Sequence, residues 1–183
     1  MNGNVGVWDS LAAIEWTKQH IDKFGGDPDN ITVIGQSAGA AIITWMLLGR
    51  EGNLHLPFDQ AWIASPAIAP RKNLERSRPV FNMILNVTNC STVACMRHLP
   101  ESTIREANRL ILNQDSSKGG GSLGLAPGLT PTVDGELVSD VPARAFAEGK
   151  FNKRIKQLVV GHTASEVSVL KCYFTLPRLT DAA

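Results

Sequence analysis

Only three of the 183 residues are cysteine, Cys90, Cys95 and Cys172, too few to staple a disulfide scaffold. No histidine or second close cysteine pair stands at a spacing that completes four zinc ligands, so no metal site is expected. An excess of one charge is missing as well: 18 Lys+Arg stand against 17 Asp+Glu, a formal net charge of +1. That balance excludes recognition of nucleic acid or of an anionic membrane surface through bulk charge. Long apolar runs are also absent. The longest, Ala40 to Leu48, is interrupted by Thr44 and falls far short of the ~20 residues that cross a bilayer, so no transmembrane segment is expected. The first ten residues have neither the basic nor the apolar stretch of a secretory leader, and no signal peptide is expected in this chain. What remains is 43% hydrophobic and 19% charged, the composition of a globular domain that can bury a core. No internal repeat or domain boundary interrupts it, and residues 1–183 read as one unit.

From Trp8 to Phe24 the apolar residues Leu11, Ile14, Ile21 and Phe24 recur at spacings of three and seven, which predicts an amphipathic helix closed by Gly25-Gly26. The β-branched run Ile31 to Ile34 then predicts a strand, followed by small residues leading into a helix over Ile42 to Leu48. Ala61 to Ala64 and Leu158 to Val160 predict two more strands, and strands spaced among helices indicate a parallel α/β sheet. Thr103 followed by Glu106 predicts a capping box for a helix with the apolar face Ile104, Ala107 and Ile111. Ser116 to Gly124 reads as a Gly/Ser-rich loop, and Asp134-Gly135 as a turn. Asp140 before Pro142 predicts a short helix that Gly149 closes. Cys90 and Cys95 are spaced either to close a small loop in an oxidising compartment or to remain two thiols. Three glycosylation triplets, Asn30-Ile31-Thr32, Asn86-Val87-Thr88 and Asn89-Cys90-Ser91, lean towards a secreted ancestry, the last two lying beside that loop.

Gly35-Gln36-Ser37-Ala38-Gly39 fits the GxSxG elbow, in which a serine sits on a sharp strand-to-helix turn with its hydroxyl clear of the sheet. Chance alone supplies this pentapeptide in roughly one chain of this length in twenty. The strand run before it and the small-residue helix after it are what give it weight. Close approach of strand and helix predicts that both Gly35 and Gly39 are needed for clearance. The following helix aims its free N–H groups and positive dipole end at the site, so the Ala38 amide is placed to donate to a developing oxyanion. Ser37 is thereby placed to attack a carbonyl carbon.

Asn4-Val5-Gly6-Val7-Trp8-Asp9, Glu15-Trp16, Phe24-Gly25-Gly26-Asp27-Pro28, Ile31-Thr32 and Gly35 to Gly39 are similar, in order and spacing, to NxGLxDQ, ALxWV, FGGDP, VT and GxSAG. The chain therefore resembles the type-B carboxylesterases, a family of the α/β-hydrolase fold that includes the cholinesterases and fungal lipases and esterases. Departures are Ser10 for the usual Gln, and Gln36 where many members carry Glu. The resemblance implies a disulfide between Cys90 and Cys95, a supporting role for Ser65 although Pro66 replaces the usual Gly, and a triad acid at Glu166. Pro131 to Gly135 looks like PVxDG, and Ser165-Glu166 like the start of DEG, with Val167 replacing the glycine. The implied chemistry is hydrolysis of a small-molecule carboxylic ester through a serine acyl-enzyme, with no cofactor.

Two family features have no counterpart in the sequence. His20, His55, His98 and His162 all precede Glu166, whereas the base of this fold follows the acid. The Gly-rich loop that adds oxyanion donors lies upstream of NxGLxDQ in the family. The expectation is a partial α/β-hydrolase fold lacking N- and C-terminal parts, and a polypeptide that on its own is a poor or inactive esterase. The alternative is a non-catalytic carboxylesterase-like fragment or binding module. Family members are often secreted, whereas no signal peptide is expected here, and neither location, substrate choice nor oligomeric state is written in the pattern.

Overall fold

A computed structural model describes residues 3–68, 78–112, 131–138 and 140–166. The Ser116 to Gly124 loop, Val167 and Cys172 lie outside the described residues. In chain order the elements are α1 (Val5–His20), β1 (Thr32–Gln36), α2 (Ala38–Leu48), β2 (Gln60–Ala64), α3 (Arg78–Thr88), α4 (Val93–Arg97), α5 (Glu101–Leu112), α6 (Pro142–Ala147) and β3 (Gln157–Gly161). The three strands form one parallel sheet in the order β1-β2-β3, with Thr32, Gln60 and Gln157 aligned at one end and Gln36, Ala64 and Gly161 at the other. All three strand expectations hold to within two residues at each end.

The sheet and α2 share the core. Apolar residues surround α2 on every side, and Ala40, Ala41, Ile43, Trp45, Met46, Leu47 and Leu48 are all buried. A helix apolar all round must be covered all round. Ala61 and Ile63 of β2 cover one side, Val7 and Leu11 of α1 another, and Leu54, Phe58, Leu137, Val138 and Ala145 complete the cluster. Thr44, the polar interruption, is satisfied because its hydroxyl donates to the Ala40 carbonyl at 2.9 Å. The opposite face of the sheet is different. Ile34, Trp62 and Val159 align across the three strands and are 68%, 49% and 55% exposed, although parallel sheets are ordinarily covered on both faces.

Two helix expectations are corrected. α1 ends at His20 and continues as a 3₁₀ turn over Ile21–Phe24 before the left-handed Gly25, and Phe24 is 74% exposed. Three residues per turn rotate Phe24 out of the stripe that 3.6 residues per turn assigns it. There is also no capping box at Thr103. α5 starts two residues earlier, at Glu101, where the Pro100 carbonyl accepts from the Thr103 amide at 3.0 Å. The Glu106 carboxylate turns instead to Arg109, 2.6 Å away. Ala107 and Ile111 are buried as expected, whereas Ile104 is exposed. Elsewhere among the described residues, Gly135 and Gly149 have positive φ, Asp140 Oδ1 accepts from the Val141 amide ahead of α6, and Cys90 and Cys95, which the spacing left open, are joined as a disulfide.

Asn4 sits in the left-handed region, at φ 57°, and clamps residues 128 and 130 positions away. Its Oδ1 accepts from the Thr132 amide, and its Nδ2 donates to the Thr132 carbonyl and to Asp134 Oδ2, all at 2.8 Å. Asn tolerates this backbone region better than Ala does. Asn4→Ala is expected to cost about 3 kcal/mol, from three half-buried hydrogen bonds and a disfavoured φ. A urea titration reads this as a lower midpoint at unchanged slope.

Candidate active site

Strand β1 ends at Gln36 and α2 begins at Ala38, which leaves Ser37 alone to make the turn. It does so at φ 55°, ψ −116°, a conformation that costs a non-glycine residue about 1–3 kcal/mol and persists only where its surroundings impose it. Those surroundings are visible. The Ser37 amide donates to the Ala64 carbonyl at 3.1 Å, and its carbonyl accepts from Ala41 at 3.0 Å and Ala67 at 3.1 Å. Both backbone polar groups are thus held, from α2 and from the end of β2, while the hydroxyl makes no hydrogen bond to a described residue.

The two glycines are not equivalent, which corrects the expectation that both provide clearance. A Cβ on Gly35 would stand 2.5 Å from the Gly39 carbonyl carbon, 2.6 Å from its oxygen and 2.7 Å from the Ala40 nitrogen. A Cβ on Gly39 would meet nothing within 4 Å. The backbone of Gly39, not its missing side chain, makes the close approach. Ala38 opens α2, so its amide belongs to the first-turn N–H groups that have no intrahelical acceptor.

The other two strands end beside this turn, since Gln36, Ala64 and Gly161 are in register. Ser65 follows Ala64 at φ 48°, its amide donating to the Gly161 carbonyl at 2.8 Å. Beyond Gly161 the chain reaches Glu166, whose carboxylate accepts from the Thr163 amide at 2.7 Å and from the Thr163 hydroxyl. The hydroxyl of Ser65 first and then the Thr163 donors hold the Glu166 carboxyl below the usual carboxylate range, with a smaller contribution from His162 and a partial opposition from desolvation. Ser37, Ser65 and Glu166 therefore all lie just past the carboxyl ends of adjacent parallel strands, the edge where open α/β sheets carry their sites. Thr163 was not singled out in the sequence. Its signal was there, since Thr163-Ala164-Ser165-Glu166 has the S/T-x-x-E form in which the acid reaches back to the first residue's amide.

A depressed carboxylate pKa stabilises the fold above the unfolded-state value, and that contribution is lost as pH falls through the folded value. Ser65→Ala removes the largest depressing group, so Glu166 is expected to titrate closer to an ordinary carboxylate, and the acid loss of stability to be smaller and complete at higher pH. A carboxyl NMR titration checks this. An unmoved titration would mean that Thr163 alone holds the group.

None of the four imidazoles hydrogen-bonds Ser37. His162 Nδ1 pairs with the Thr163 carbonyl at 2.9 Å, and His20 Nδ1 with the Trp16 carbonyl at 2.8 Å, its ring stacked on Trp16. His98 caps the end of α4. His55 lines a cavity of about 400 Å³ with Lys18, Ile31, Phe58, Asp59 and Arg154. Ile31 and Asp59 immediately precede β1 and β2, so that cavity opens at the amino edge of the sheet, away from Ser37.

Comparison with known proteins identifies the family and the fold. A family model described as "Carboxylesterase family" matches residues 1–179. Carboxylesterase patB of Penicillium expansum is 33% identical over 164 residues, covering 89% of this chain and 28% of that protein. An "Inactive carboxylesterase-like protein VdtD" of Byssochlamys spectabilis is 28% identical over 179 residues, covering 91% of this chain and 29% of that protein. The crystal structure of Aspergillus niger EstA superposes with a TM-score of 0.67 at 32% identity, covering 82% of this chain and 29% of that one. The chain spans less than a third of the length of these relatives. With a family match over nearly its whole length and a strand-to-helix turn at Ser37 beside parallel strands, the chain belongs to the carboxylesterase family, and its sheet is a portion of the α/β-hydrolase fold.

Proposed function

We propose that this chain carries the nucleophile and acid of a carboxylic ester hydrolase that works through a serine acyl-enzyme on small-molecule esters. The observation that carries the reading is the backbone of Ser37, a non-glycine residue kept at positive φ by hydrogen bonds to both of its backbone polar groups. Such strain clusters at functional sites. Ser37 Oγ adds to the ester carbonyl carbon, the carbonyl electron pair moves onto oxygen, and the Ala38 amide donates to that oxyanion. A base takes the hydroxyl proton and returns it to the departing alkoxide; water then repeats the sequence to release the acid. Glu166 orients that base and supports its cationic form, and Ser65 and Thr163 keep Glu166 ionised and positioned.

In this fold the base follows the acid, so a histidine after Glu166 would supply it in a version of the chain extended at its C-terminal end. A serine hydroxyl is a weak nucleophile without an imidazole in reach, so the 183 residues by themselves hydrolyse esters poorly. A second reading, a carboxylesterase-like module without catalysis, is favoured by the pairing of His162 with Thr163 rather than with Ser37. An alkyl fluorophosphonate adduct mapped to the Ser37 peptide of a version extended at both ends, with a Gly-rich loop upstream and a histidine downstream, decides for hydrolysis; its absence there decides for the second reading.

A further inference from the structure

The three Asn-x-Ser/Thr triplets have no part in ester hydrolysis, and their local structures are unlike one another. Such a triplet serves as an acceptor on a surface loop, in a chain that folds where disulfides form. Asn30 is tied to the sheet: its Oδ1 accepts from Gln60 Nε2 at 2.7 Å, and Thr32, the first residue of β1, donates its hydroxyl to Gln60 Oε1 at 3.3 Å. Asn86 lies inside α3, and its partner Thr88 is 6% exposed with its hydroxyl donating to the Ile84 carbonyl at 2.7 Å. Asn89 is different. It stands just beyond the end of α3 at φ 52°, exposed, with Ser91 also exposed. Cys90 between them is buried and joined to Cys95. The middle residue of this triplet is thus anchored inward while the two that an acceptor must present face solvent.

We propose that Asn89 is an N-glycosylation site, used in preference to Asn86 and Asn30. The disulfide supplies the independent observation, because the bond that fixes this loop forms in the compartment where N-linked glycans are attached. The donor is a lipid-diphosphate-linked oligosaccharide. Asn89 Nδ2 forms a bond to the anomeric carbon, the bond from that carbon to the diphosphate oxygen breaks, the lipid diphosphate leaves with the electron pair, and Nδ2 gives up one proton. The proposal does not depend on the esterase reading.

The full chain, fused behind a cleavable secretory leader and secreted from a eukaryotic host, is treated with a peptide:N-glycosidase in heavy-oxygen water, which marks each formerly glycosylated asparagine by conversion to aspartate. No Lys or Arg lies between Arg78 and Arg97, so one tryptic peptide holds both Asn86 and Asn89, and fragment ions must separate them. The expected result is the mark on Asn89 in most molecules. Asn89→Gln and Ser91→Ala each remove one glycan from the intact mass, Ser91→Thr keeps it, and Asn86→Gln and Asn30→Gln leave the mass shift in place. If secretion fails, the same mapping is made on protein from the microsomal fraction, where the glycan is attached. Bare Asn89, or a glycan found on Asn86 or Asn30 instead, overturns the proposal.

Discussion

The expected result of treating the 183-residue chain with an alkyl fluorophosphonate is slow labelling or none, and the same probe is expected to label Ser37 rapidly once a Gly-rich loop is restored upstream and a histidine downstream. The probe reports an activated serine, not merely a serine in an elbow. At Ser37 the elbow is present, and its hydroxyl has no base among the described residues. Losing the base of a serine triad costs about 10⁴-fold or more, and each missing oxyanion donor a further 10²–10³-fold. In the extended chain Ser37→Ala is expected to abolish labelling, and Glu166→Gln to weaken it by leaving the histidine poorly oriented. His162→Ala is expected to change little, since its ring is paired with the Thr163 carbonyl. Rapid labelling of the 183-residue chain that depends on both Ser37 and His162 would overturn this account, because a base preceding the acid would then have been recruited.

The second large effect is structural and separates two residues that the motif writes with the same letter. Gly35→Ala is expected to destabilise the fold by about 3 kcal/mol, the upper part of the usual range for overpacking. Its Cβ would press on the Gly39 carbonyl group and the Ala40 nitrogen, which are backbone atoms with no rotamer to retreat into. Relief requires β1 and α2 to separate, and that same movement shifts Ser37, so labelling of the extended chain should fall together with stability. Gly39→Ala has open space for its Cβ and sits in the first turn of α2. There the better helix propensity of Ala predicts a gain of up to about 1 kcal/mol. Urea unfolding of both variants at unchanged slope provides the comparison. Equal losses at the two positions would contradict it.

Elements whose cause is local were legible in the residues. The run Ile31 to Ile34 became β1, Asp134-Gly135 a turn, and Gly35 to Gly39 the strand-to-helix turn, because each depends on the φ/ψ preferences of a few consecutive residues. A parallel sheet followed from strands separated by helical segments. What depended on distant partners was not legible. The clamp of Asn4 on Thr132 and Asp134 joins residues 128 and 130 apart, and no pattern within either segment announces the other. The unequal roles of Gly35 and Gly39 follow from the angle at which α2 leaves β1, which decides whose Cβ position meets backbone. Likewise the Ser65 amide reaches the Gly161 carbonyl at 2.8 Å only because β2 and β3 are neighbours in register. Short-range sterics determined the elements; tertiary packing, through Ala64 and Ala67, helps hold the serine in its strained conformation and decided which other groups stand around it, because those contacts form between chain segments that share no sequence neighbourhood.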